Sequence, residues 1–162
     1  MSFDPQTFMN QTVDEPLKHV RELCPEGDYK AFVGDYNFDN ETFRTITVKK
    51  GTPEEREATI LRLPIRIEDE DVRKKLQRDT VTVFYRDCWL DFKPGTNELD
   101  TGANKNIDLG RICKATGIST GAIFTALRGA GPILARVRHR QYDENDPEKK
   151  LAEVVSVAPW KD

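Results

Sequence analysis

The stretch Ala58-Thr59-Ile60-Leu61-Arg62-Leu63-Pro64-Ile65-Arg66-Ile67 decides the fold class. Leu61, Leu63, Ile65 and Ile67 share one parity, while Arg62, Pro64 and Arg66 share the other. Side chains alternate between the two faces of a strand, so this period of two predicts one strand over 58–67. Its aliphatic face turns to a core and its arginine face to solvent. Pro64 has no N–H to give to a ladder, so the strand is expected at a sheet edge or with a bulge.

Working outward, Asp69 to Arg78 reads as a short helix. Its acids lie in the first turn and Lys74, Lys75 and Arg78 near the end, an order that suits the helix dipole. Thr80 to Phe92, dense in β-formers, predicts the next strand. Asn106 is placed to cap a helix to Thr116 with Leu109, Ile112, Cys113 and Thr116 inside, and Gly117 stops it. A second helix is expected from Thr120 to Arg128. After Gly131-Pro132, Ile133, Ala135 and Val137 alternate with Leu134, Arg136 and Arg138, and Leu151 to Val157 returns after a polar loop. Upstream, Tyr29–Tyr36 is the expected first strand, Asn37–Asn40 a turn, and Phe43–Lys50 a continuation of the sheet. Val13–Leu23 predicts a short helix, and residues 1–12 read as a mobile terminus.

The expected fold is therefore mainly β within an α+β class. It is an OB-like barrel of five or six strands, with a helical hairpin (107–128) before the last β-hairpin. The expected organisation is an N-terminal arm with a short helix over 1–24 and a barrel domain over 25–160. At 162 residues the chain can bury a core without disulfide staples. Cys24, Cys88 and Cys113 are odd in number and lack C-x-x-C spacing; with His19 and His139 they form no set of zinc ligands. No metal and no cofactor is expected. No apolar run nears the roughly 18 residues of a membrane span, and Met1-Ser2-Phe3-Asp4-Pro5 does not read as a secretory signal, so the expectation is a cytoplasmic protein without membrane contact. The net charge of −3 counts against a simple phosphate-coating protein. Its distribution matters more: acids crowd the first forty residues, whereas Arg128, Arg136, Arg138 and Arg140 follow one another without an acid.

Several segments carry a resemblance. Pro25-Glu26-Gly27-Asp28-Tyr29-Lys30-Ala31 leads into the first strand, and Trp89-Leu90-Asp91-Phe92 follows in the middle. Glu98-Leu99-Asp100-Thr101-Gly102-Ala103-Asn104-Lys105-Asn106 then runs into Leu109-Gly110-Arg111-Ile112. Gly131 through Val137-Arg138-His139-Arg140, Ala152-Glu153-Val154 and Val157-Ala158-Pro159-Trp160 complete the pattern. Over roughly residues 25–160 the chain resembles a family of short bacteriophage-encoded single-stranded-DNA-binding proteins with an oligonucleotide-binding fold. The resemblance implies a non-enzymatic role in replication or recombination, in host cytoplasm. It assigns no individual residue a role. Many single-strand-binding proteins end in an acidic, partner-recruiting tail, and Trp160-Lys161-Asp162 departs from that pattern.

The residues themselves offer a binding surface of strand-borne arginines and aromatic rings. Arg62 and Arg66 point one way from their strand; Arg136, Arg138 and Arg140 do so from theirs. Tyr85 and Trp89 share a parity, and Tyr36 and Phe38 stand at a loop edge. Guanidinium groups can track phosphates while rings stack bases. The candidate nucleic-acid-binding residues are thus Arg62, Arg66, Tyr85, Trp89, Arg136, Arg138, Arg140 and Tyr36, with single-stranded DNA or RNA as partner. Alternatives stay open. Asp108 to Arg128 has helix-turn-helix spacing and would read duplex DNA, although Ser119, Thr120, Thr125 and Arg128 offer little for bidentate base contacts. Asp87 and Asp91 could hold Mg²⁺, but no further acid or lysine joins them at a recognised spacing. The third alternative is a phage accessory or structural protein that binds another protein or its own copies.

Overall fold

The computed structural model describes residues 3–12, 22–37 and 42–162. Among these residues the chain is mixed α+β, with eight strands in two antiparallel sheets and four helices. The expected helix over Val13–Leu23 lies mostly outside the described residues, as does Phe38. A short helix, α1 (Pro5–Met9), instead occupies the segment read as a mobile terminus; Asp4 caps it by accepting from the Gln6 N–H.

The larger sheet contains β1 (Gly27–Val33), β4 (Pro64–Ile67), β5 (Val81–Phe84), β7 (Ile133–Gln141) and β8 (Lys150–Pro159), in the order β5-β4-β1-β7-β8. The smaller sheet has β2 (Phe43–Val48), β3 (Arg56–Leu61) and β6 (Cys88–Leu90), in the order β2-β3-β6. The expected strand over 58–67 is thus two strands in different sheets. Its inward parity survives the break: Leu61, Leu63, Ile65 and Ile67 are all buried. Arg62 turns its N–H to the Thr42 carbonyl, and the chain changes sheets there. Pro64 opens β4, where its missing donor costs least, and is buried rather than exposed.

The expected strand over Thr80–Phe92 divides in the same way, for a visible reason. Val81, Val83 and Tyr85 are buried at odd positions, whereas Cys88 and Leu90 are buried at even ones. The phase slips by one at Arg86-Asp87, where β5 leaves the larger sheet and β6 joins the smaller. Between them Tyr85 forms an isolated parallel bridge to Val154 of β8, and the Arg86 N–H donates to the Val154 carbonyl. The two outer strands of the larger sheet therefore touch at one point. No closed barrel is found among the described residues.

α2 (Glu70–Leu76) follows β4 as expected, with the Asp69 side chain accepting from the Val72 N–H at 2.9 Å. α3 (Ile107–Thr116) also matches its expected span and packs on β8 and β6 through Leu109, Ile112 and Ala115. Asn106 precedes it, but its side chain makes no cap bond. α4 (Ile123–Leu127) is shorter than the expected 120–128 helix; Leu127 enters the core, with Ile123 and Phe124 against it. One hydrophobic cluster joins the inner faces of both sheets to α2, α3 and α4. None of the helices is long and apolar enough to cross a membrane, among the described residues.

Burial raises the thiols of Cys24 to about 11 and Cys88 to about 12, and pushes Cys113 up as well. A raised thiol stays protonated at neutral pH and is a poor nucleophile. At pH 8 a thiol reagent should titrate only the half-buried Cys113 in the folded protein, and all three cysteines once it is denatured. Rapid native reaction of Cys88 would contradict this packing.

Candidate nucleic-acid interface

Two of the expected ring residues are inside. Tyr85 is 2% exposed and Tyr36 6%. The Tyr36 hydroxyl donates to the Phe124 carbonyl, and burial pushes its phenol up to about 12. Neither ring can stack a base in this conformation. Trp89 shares Tyr85's parity in the sequence, but the slip at Arg86-Asp87 turns it outward: it is 45% exposed and lies on the smaller sheet. Tyr85 and Trp89 thus do not form one surface.

The late arginines are on the surface, yet each has an acid beside it. Arg136 Nε donates to Asp28 Oδ1 at 3.0 Å across the β1–β7 pair. Arg138 lies 4.0 Å from the same carboxylate and donates to the Val137 carbonyl at 2.7 Å. Arg140 Nε donates to Glu153 at 3.1 Å on β8. Asp28 is held below the usual carboxylate range, chiefly by the Arg136 hydrogen bond; Glu26, accepting from the His139 N–H, is lowered too. These arginines already have anions and gain less from a phosphate.

Arg62 and Arg66 have a different setting. They line an open groove of about 990 Å³ on the outer face of β4 and β5, joined by Arg44 from β2 and Arg78 from the turn after α2. Thr82 and Phe84 form its floor from β5. The reason is local. Inward Val81 and Val83 force Thr82 and Phe84 outward, and inward Leu61 and Leu63 do the same for Arg62. Phe84 is 39% exposed, and the Arg62 guanidinium lies 4.2 Å from its ring centroid. Arg66 Nε is 3.0 Å from Glu68 Oε1, without the alignment of a hydrogen bond. Arg44, Arg62 and Arg78 make no ion pair among the described residues. The one acid lining the groove among the described residues, Asp35, lies against Arg128 at 2.6 Å.

Arg44, Arg78 and Phe84 escaped the sequence reading. Phe84 could have been found from its parity with Thr82. Arg44 and Arg78 could not, because only the packing of the sheets brings them beside Arg62.

The other candidates have structural employment. Asp91 Oδ2 accepts from the Asn106 N–H at 2.8 Å, while Asn106 Oδ1 accepts from the Asp91 N–H at 2.7 Å. Asp91 therefore holds the start of α3, and Asp87 stands apart on the surface. No cluster of three metal-ligating side chains occurs among the described residues. In the helix-turn-helix segment, α4 has 5 residues. At about 1.5 Å per residue it is about 7.5 Å long, and its apolar side packs on the core. Arg128 points to Asp35 rather than away from the hairpin. Comparison with family models, with curated proteins and with solved structures returns no match.

Proposed function

We infer that this chain is a non-enzymatic single-stranded-nucleic-acid-binding protein whose ligand lies in the groove over β4 and β5. The observation that carries this reading is the set of Arg44, Arg62 and Arg78, unpaired among the described residues, around the exposed Phe84 ring. Guanidinium groups suit phosphate through bidentate, charge-assisted hydrogen bonds. A ring beside them accepts a base of any sequence, because every base has a π-face. The net charge of −3 does not oppose this, since the groove concentrates positive charge that the whole chain lacks.

The finer reading of the fold is an OB-like arrangement of the larger sheet. Three features support it: the strand order β5-β4-β1-β7-β8, the parallel Tyr85–Val154 bridge between its outer strands, and α3 lying between β5 and β7 in the chain. In such folds the second and third strands form the oligonucleotide face. Here those strands are β4 and β5, the floor of the groove. The role that fits is holding a displaced strand during replication or recombination, as the phage-family resemblance implies.

Titration of a labelled single-stranded oligonucleotide at about 50 and about 200 mM salt tests this. Three arginine–phosphate contacts give a log–log slope of about −2, or about twentyfold weaker binding across that range. Absence of binding at the lower salt, or binding indifferent to salt, would rule the reading out.

A further inference from the structure

The outer face of the larger sheet carries more than the groove. Arg62 lies over Phe84, Arg66 lies 5.2 Å from the Phe32 ring centroid, and Lys30 lies 5.6 Å from that of Trp160. The order is spatial as well as chemical. Pro64 of β4 pairs with Phe84 of β5, Arg66 of β4 pairs with Phe32 of β1, and Lys30 is two residues from Phe32 on the same face of β1. Cation–ring pairs arise about once per 70–80 residues. A chain of 162 residues would hold about two, scattered. All three found among the described residues lie along one diagonal across β5, β4 and β1.

The floor of this diagonal is built to hold the middle ring. Gly131, at φ +144°, lies under Phe32; a Cβ there would stand 2.8 Å from Phe32 Cδ1 and 3.1 Å from the Ala31 carbonyl oxygen. Trp160 is half-buried, and its Nε1 donates to Asp162 at 2.9 Å. Lys30 is exposed, and among the described residues it makes no ion pair. Among the described residues the acids near the path are Glu68, shared by Arg66 and Arg73, Asp28, held by Arg136, and Asp162, which accepts from Trp160 Nε1. Glu68 and Asp28 are occupied by arginine, and Asp162 is bonded to the indole N–H at the edge of the Trp160 ring.

We propose that Lys30 and Trp160 form a second nucleobase-and-phosphate subsite, reached when a bound strand leaves the groove and crosses the sheet by way of Phe32. This rests on the single-strand reading of the groove. A base stacks on Trp160 while Lys30 meets the adjoining phosphate. Short ligands fill the groove alone, and longer ones also engage the subsite.

The test uses oligothymidylates of about 4 and about 16 nucleotides, the limits of site size for this kind of fold. Trp160→Ala should weaken the longer ligand about tenfold and leave the shorter one within about twofold, as loss of one stacked base would. Phe84→Ala should weaken both, and Trp160→Phe should restore the longer. In a Trp89→Phe background, Trp160 fluorescence should be quenched by the longer ligand only. If Phe84→Ala weakens both ligands but Trp160→Ala changes neither, or changes both equally, the subsite is refuted and the groove stands. If neither ligand binds the unaltered protein, groove and subsite fall together.

Discussion

The triple variant R44A/R62A/R78A is expected to bind single-stranded oligonucleotide about a hundredfold more weakly than the unaltered protein, with a salt dependence close to flat. Hydrogen bonds to charged groups contribute about 1.5–3 kcal/mol each, and neighbouring contacts do not add fully, so three lost phosphate contacts exceed the ~2.7 kcal/mol that a hundredfold represents. The slope should move from about −2 toward zero, because the counterions released on binding are those displaced from these guanidinium partners. The companion variant R136A/R138A/R140A removes as many positive charges. It should change affinity by no more than about threefold, since those side chains are already turned to Asp28 and Glu153. Equal losses in the two variants would mean that overall charge, not the groove, drives binding. Fluorescence anisotropy across a salt series, with circular dichroism to confirm folding, measures both.

The second large effect is on stability. Asn106→Ala should lower the melting temperature by about 10 °C, at about 2–4 °C per kcal/mol for a chain of this size. Asn106 is 8% exposed. Its Oδ1 accepts from the Asp91 N–H at 2.7 Å, and its Nδ2 donates to the carbonyls of Asp91 at 2.8 Å and Asp100 at 2.9 Å. Alanine leaves the Asp91 N–H and the Asp100 carbonyl without partners, at about 1–3 kcal/mol for a buried group, while the Asp91 carbonyl keeps the Asp100 N–H. It also places a Cβ-bearing residue lacking a polar side chain at φ 50°, a conformation that asparagine tolerates better. The bonds tie the end of β6 to the start of α3, so the loss reaches the junction of the sheets. Thermal unfolding by circular dichroism reads the change, and a shift within about 2 °C would show that the clamp matters little.

These two sites differ in how far the sequence exposes them. The period-two run Leu61-Leu63-Ile65-Ile67 shows that the segment is extended and which face is buried, because that signal is local. It does not show the change of sheet at Arg62, since the parity continues through the break. At Arg86-Asp87 the opposite holds: the slip from odd to even burial is written in the residues, and a single strand over Thr80–Phe92 overlooks it. That error alone placed Tyr85 beside Trp89. Asn106 was legible as a helix start but not as a clamp, because its partners come from Asp91 and Asp100 in a preceding loop. Likewise, nothing near Arg136 in sequence reveals Asp28 as its partner; β1–β7 pairing brings together residues 108 positions apart. The groove itself is a product of such long-range pairing, with Arg62, Arg66, the buried wall residue Tyr36 and the parity of Phe84 visible beforehand.

Amide chemical-shift mapping with a short oligothymidylate examines the groove most directly. The largest shifts are expected at Arg44, Arg62, Arg66, Thr82 and Phe84, with Trp89 and residues 119–128 unmoved. Shifts confined to the smaller sheet or to the α3–α4 hairpin, or none at saturating oligonucleotide, would contradict the account.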